Sequence, residues 1–134
     1  MAKRIPYRNN SPYGWWVASY LARFEYDDED KTNLNRKCLA WENTIILRAP
    51  NRELAYRKAI RISSTIDSFR AWEEGTHREG CWRFEGLTSL LPVYSKLEDG
   101  EEILWFEYRN RSVKTIKSWV KEKKQLETFD DSGP

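Results

Sequence analysis

Gly14-Trp-Trp-Val-Ala-Ser-Tyr-Leu-Ala-Arg-Phe-Glu-Tyr26 is the stretch on which the fold turns. Its even positions read Trp16, Ala18, Tyr20, Ala22, Phe24 and Tyr26, while the odd ones drift from Trp15 and Val17 to Arg23 and Glu25. Successive side chains of a strand point to opposite faces, so this period of two predicts a strand with one committed core face. Trp15 and Trp16 then cannot share a layer, and one of them must cover a second face or an exposed patch.

Outward from this strand, the acidic and polar run Asp27 to Asn35 has no apolar period and predicts a connecting loop. A second strand is predicted from Cys38 to Ala49, where Leu39, Trp41, Asn43, Ile45, Leu47 and Ala49 share one parity. Pairing it with the first strand in a hairpin is the economical solution. Pro50 ends it, and Asn51 can cap a helix whose stripe is Ala55, Ala59, Ile62, Ile66 and Phe69, ending near Trp72 to Gly75. The segment 74–80, with two glycines and no apolar residue, predicts an exposed loop of the kind that often carries sites.

Cys81-Trp-Arg-Phe-Glu begins a third strand, after which Gly86 and Pro92 predict two short extended pieces or a bend, with a weak strand over Leu91 to Leu97. Asp99-Gly100 predicts a hairpin turn into a strand from Ile103 to Arg109. Ser112 can cap a last helix with the apolar face Val113, Ile116, Trp119, Val120 and Leu126. The expected order is β-β-α-β-β-β-α. It describes an α+β fold in which an antiparallel sheet of four to five strands carries one long helix and a C-terminal helix on one face.

At 134 residues and 16.0 kDa the chain has the length of one domain, expected over 1–134 with flexible tails at 1–12 and 128–134. Its 40% hydrophobic and 33% charged residues exclude disorder and low-complexity scaffolds as the main reading. No run of about 18 apolar residues spans a bilayer, and the polar start lacks a signal peptide's apolar stretch, so a cytoplasmic location without membrane attachment is expected. Cys38 and Cys81 are too few for a disulfide scaffold, and the 7 Trp, 7 Tyr and 5 Phe must supply much of the core.

The motifs Gly-Trp-Trp-Val-Ala-Ser-Tyr at 14–20, Trp-Glu-Asn-Thr-Ile at 41–45, Trp-Arg-Phe-Glu-Gly-Leu at 82–87 and Leu-Glu-Asp-Gly at 97–100 together carry a resemblance. The chain resembles a small bacterial family catalogued as a domain of unknown function, number 4288 in that series, over roughly Trp15 to Phe129. The resemblance implies a bacterial, intracellular origin. It transfers no activity, cofactor or catalytic residue.

Several constellations are candidates for chemistry. Trp41-Glu42-Asn43 sits mid-strand, where alternation sends Glu42 and Asn43 to opposite faces and one of them toward the core side. A buried polar group needs partners, so this pair marks either a structural hydrogen-bond network or a ligand contact. Arg83 and Glu85 share a face opposite Trp82 and Phe84 and are placed to pair across strands. If Glu42 and Glu85 faced one pocket, each charge would raise the other's pKa, as in acid–base catalysis.

His77, Cys81 and Cys38 lack the paired spacing of a zinc site, so no metal is expected, and the glycines match no phosphate-loop spacing, so no cofactor is expected. A basic stripe through Arg111, Lys114, Lys117, Lys121 and Lys124 recurs at helical spacing, but the net charge of +2 and pI of about 8.5 fall short of a typical nucleic-acid binder.

The sequence therefore points first to a non-enzymatic binding or accessory module, with a protein partner or a second copy held by Trp15, Trp41, Glu42, Asn43, Trp82, Arg83 and Glu85. The alternative is a nucleic-acid module in which the basic C-terminal stripe tracks phosphates and aromatics stack on bases. A third reading is an enzyme built on the Glu42/Glu85 carboxylates.

Overall fold

A computed structural model describes residues 5–132. The chain divides into two compact units, Met1–Leu104 and Trp105–Pro134. The first contains strands β1 (Trp15–Tyr26) and β2 (Leu39–Arg48), helix α1 (Arg52–Ser63), and strands β3 (Arg70–Trp72) and β4 (Glu79–Pro92). They build one four-stranded antiparallel sheet in the order β2-β1-β4-β3, so the fold class is α+β. The second contains helix α2 (Val113–Ser118) and two 3₁₀ turns.

The expected hairpin of the first two strands is present, with Trp16 opposite Leu47 and Phe24 opposite Leu39. The even positions of β1 and the odd positions of β2 face the helix-bearing core. Trp16, Ala18, Leu47 and Ala49 pack on Ala55 and Ala59 of α1, whose small side chains let the helix approach the sheet closely. Toward the other end of the same face, Ala22, Phe24, Tyr26 and Trp82 pack with Ile66 and Ala71. Trp16 is 2% exposed and its indole N–H donates to the Ala49 carbonyl at 3.0 Å, while Trp15 lies half-buried on the opposite face under the Arg48 guanidinium.

Four sequence expectations need correction. First, α1 stops at Ser63 instead of running to Trp72–Gly75. Asn51 caps its start as expected, through the Leu54 N–H at 2.9 Å. At its end Ser64 and Thr65 turn their hydroxyls onto the carbonyls of Arg61 and Ile62, a local competition with helix continuation. Ser68 then takes a left-handed φ of 67°, and Arg70–Trp72 pairs with the otherwise open edge of β4.

Second, the pieces expected on either side of Gly86 are one 14-residue strand, β4, lying between β1 and β3. Register breaks between Ser19 and Tyr20 and between Leu21 and Ala22 leave Thr88 and Glu85 without opposite residues. Each bulge shifts the alternation by one, so Trp82, Phe84, Leu87, Leu90 and Pro92 all reach the core side despite their uneven spacing. Gly86 supplies the φ of 147° at the break, a conformation that a Cβ disfavours.

Third, no strand forms at Leu91–Leu97 beyond Pro92, or at Ile103–Arg109. The turn at Asp99-Gly100 does form, with the Glu101 N–H bonded to the Glu98 carbonyl. The following segment carries apolar residues at both parities, which leaves no register preferred over its one-residue slip. Fourth, α2 covers only six residues, capped by Ser112 at the Thr115 N–H, and does not reach Leu126. A capping box at Glu122 and Gln125 starts a separate 3₁₀ turn over Lys123–Gln125 instead. The order is thus β-β-α-β-β-α.

Of the expected tails, residues 1–4 and 133–134 lie outside the described residues. Within 5–12, Ser11 is buried and its hydroxyl donates to the Val93 carbonyl at 2.9 Å. Within 128–132, Phe129 closes a 3₁₀ turn over Glu127–Phe129.

Candidate functional site

At one end of the helix-bearing face, all four strands contribute to a pocket of about 400 Å³. Phe24 comes from β1, Leu39 and Trp41 from β2, Trp82 from β4, and Ala71 and Trp72 from β3, with Glu73, Glu74 and Gly75 at its edge. This convergence follows from register: Phe24 lies opposite both Leu39 and Trp82, and β3 pairs with the start of β4. Helix α1 packs against the other end of the face, around Trp16 and Ala18, and leaves this end open.

Two indoles, Trp82 and Trp41, dominate the walls. Trp82 is 8% exposed and forms the floor, edge-on to Phe24 at 5.3 Å and tilted against Trp41 at 4.6 Å. Trp41 and Trp72, on edge strands, are 52% and 56% exposed. Ala71 shares the face of Trp82, so alternation turns the neighbouring Trp72 indole to the other side, where it stacks on His77 at 5.1 Å; the residue borders the pocket at the end of β3. An indole left half in water, as Trp41 is, forfeits much of its burial energy, and such a ring beside a concavity is typical of binding surfaces.

The rim is acidic. Glu73 accepts a 2.6 Å hydrogen bond from the Tyr26 phenol and a 2.9 Å bond from the Thr76 hydroxyl. These two bonds hold its carboxyl below the ordinary carboxylate range, and the Glu73 bond together with burial pushes the Tyr26 phenol upward. Among the described residues, neither Glu73 nor Glu74 forms an ion pair. Arg78 also draws Glu73 downward but is itself paired with Asp28 and lies over the Tyr26 ring at 3.7 Å. The rim therefore carries two carboxylates outside any ion pair among the described residues, with the Arg78 charge felt at Glu73 but not bonded to it.

The opposite face holds a different arrangement. Glu25, 9% exposed, lies between Arg23 at 3.4 Å and Arg83 at 3.7 Å; Arg23 also reaches Glu85 at 3.1 Å, and Arg83 reaches Asp67 at 3.7 Å. The Arg23 guanidinium is raised above its ordinary pKa by the hydrogen bonds and charges of Glu85 and Glu25, which outweigh desolvation. A cavity of about 200 Å³ beside it is lined by Arg23, Leu34, Arg36, Cys38 and Glu85.

The seven sequence-predicted binding residues are thus divided by the sheet. Trp41, Asn43 and Trp82 lie on the helix-bearing face, and Trp41 and Trp82 meet in the pocket. Trp15, Glu42, Arg83 and Glu85 belong to the other face, where Arg83 and Glu85 pair across strands as their spacing predicts. Glu42 is exposed and Asn43 half-buried. The whole of β1 lies between Glu42 and Glu85, which places their backbones about 10 Å apart, and of the two only Glu85 lines the cavity beside Arg23.

In the second unit, Lys114 and Lys117 lie on α2, while Arg111 precedes it and Lys121 and Lys124 follow it, so the five basic residues do not share one helix. Lys121 pairs with Glu127 and Lys124 with Glu122. Among the described residues no group of three or more His, Cys, Asp or Glu side chains is placed to hold a metal ion, and no helix is long and apolar enough to cross a membrane.

Trp72, Glu73 and Glu74 escaped the sequence reading because they fell at the expected end of an overlong helix. The signal that locates them is the glycine-bearing loop 74–80, which β3 and β4 turn into the pocket's rim. No curated protein and no solved structure matches the chain. The family model described as Domain of unknown function (DUF4288) matches residues 15–105, ending short of Phe129 and covering β1 to β4 with the whole pocket, and the chain belongs to that family.

Proposed function

We propose that the chain is a binding module whose site is the pocket above Trp82, and that its ligand is a protein partner. The observation that supports this most is the half-exposed indole of Trp41, on an edge strand, tilted against the buried Trp82 that floors the concavity. Large aromatic side chains in a desolvatable hollow, ringed by polar groups, are the composition of interface hot spots. A pocket of about 400 Å³ is also within the usual range for a site that accepts a single anchoring group.

The test is capture by the tagged full chain at moderate salt, with and without nuclease, comparing wild type with Trp41→Ala, Trp72→Ala and Glu42→Gln. A stoichiometric, nuclease-resistant partner that both tryptophan variants lose and Glu42→Gln retains is the expected result. Each lost hot spot should weaken binding by about 2 kcal/mol, close to thirtyfold. Retention by all variants would reject the pocket, and capture that disappears with nuclease would favour nucleic acid held elsewhere, as at the basic segment 111–125.

A further inference from the structure

Resting on that reading, we propose that the pocket receives the side chain of an arginine projecting from an extended segment of the partner polypeptide. Two features of the site converge on a flat cation. Its walls include the indoles of Trp41 and Trp82, whose faces carry the negative quadrupole that attracts cations, with Trp the strongest of the aromatic residues in this respect. Its rim carries Glu73 and Glu74, two carboxylates without an ion-pair partner among the described residues. A neutral apolar occupant would desolvate these carboxylates with nothing in return, and a phosphate-bearing one would meet them as like charges.

Arginine suits both features at once. Its planar guanidinium stacks on an aromatic face while its edge presents a fork of donors to a carboxylate, whereas a lysine ammonium is a compact and strongly hydrated point charge. The chain already uses this arrangement internally: Arg78 lies 3.7 Å over the Tyr26 ring with its edge on Asp28. The polypeptide context follows from position. The pocket is bounded by β2 and β3, the two edge strands, each with one side unpaired by the sheet, and an extended segment can add its backbone to such an edge while one side chain fills the hollow.

The experiment uses the full chain and three blocked pentapeptides, acetyl-Gly-Gly-X-Gly-Gly-amide, with X as arginine, its uncharged isostere citrulline, or lysine. Binding is followed by the indole N–H resonances of Trp41, Trp72 and Trp82. The arginine peptide should shift these three signals and bind about tenfold more tightly than the citrulline peptide and at least about threefold more tightly than the lysine peptide. Glu74 is exposed, so Glu74→Gln should fold normally and reduce the arginine-over-citrulline preference to about threefold.

Equal binding of arginine and citrulline peptides at the three indoles would overturn the cation assignment and leave the pocket as a docking site. Equal binding of lysine would overturn the guanidinium in favour of any ammonium. Absence of shifts with every peptide would overturn the proposal outright, while loss of a captured partner in Trp72→Ala would still support the broader reading.

Discussion

Two single residues concentrate the packing logic. Gly80 lies opposite Tyr26 of β1 with no room for a side chain: a Cβ built there would overlap the Glu25 carbonyl oxygen and lie 2.9 Å from the Phe24 ring. Neither backbone nor core ring can withdraw cheaply, so Gly80→Ala should destabilise the fold by about 2–3 kcal/mol, read as a lower urea midpoint at unchanged slope. Ser63 is the reverse case. It is 1% exposed on the inner face of α1, and its hydroxyl has no hydrogen-bond partner among the described residues. Ser63→Ala removes an unsatisfied polar group and adds helix propensity, so calorimetry should show a gain of about 1 kcal/mol, near 4 °C in Tm; an unchanged or lower Tm would mean the hydroxyl is bonded.

At the scale of elements, α1 is held by its cap and its alanines. Only Ala55, Ala59 and Ser63 of its twelve residues are buried, so the helix contributes little apolar area and depends on a well-formed first turn. Asn51→Ala leaves the Leu54 N–H without its side-chain acceptor and should cost about 1 kcal/mol; Asn51→Asp should restore most of it, which separates capping from other effects of the substitution. Strand β4 shows why element boundaries were hard to read. Its two bulges convert a strict alternation into the spacing 82, 84, 87, 90, 92, and only the pairing with β1 reveals that these residues share a face. The β3–β4 loop couples an element to the site, because Glu73 bonds the Tyr26 phenol of β1 and so ties the pocket's rim to the sheet.

For the molecule as a whole, that bond and the neighbouring ion pairs set the response to pH. In the folded chain Glu73 is held low by Tyr26, Asp27 by Arg70, Asp28 by Arg78 and Asp30 by Thr32. Carboxyls with lowered folded pKa values stabilise the fold above their unfolded pKa, and this stability is lost as pH falls through the folded values. Tyr26 is raised, so its contribution is present below the ordinary phenol pKa and disappears as pH rises through the folded value. Urea midpoints should therefore be level between about pH 6 and 9 and decline below about pH 4 and above about pH 10. Tyr26→Phe should flatten the alkaline decline and soften the acid one. An alkaline limb identical to wild type in that variant would show that the phenol's titration is not linked to folding.

Much of this fold was legible locally. The alternation from Trp16 to Tyr26, the matching parity of Leu39 to Leu47 and the Asn51 cap are signals that depend on neighbours in sequence, and each specified its element. The division of Trp15 from Trp16 also follows from alternation alone. What the sequence could not determine was the end of α1, the identity of β3 and the site. Ile66 and Phe69 continue a helical period, and only the open edge of β4 draws Arg70–Trp72 into a strand. The pocket joins residues as distant in sequence as Phe24, Trp41, Trp72 and Trp82, and the acidic rim faces them only because β3 exists. Local propensity chooses elements one at a time, whereas a site of this kind requires a register across four strands, which is settled by the tertiary burial of a shared face.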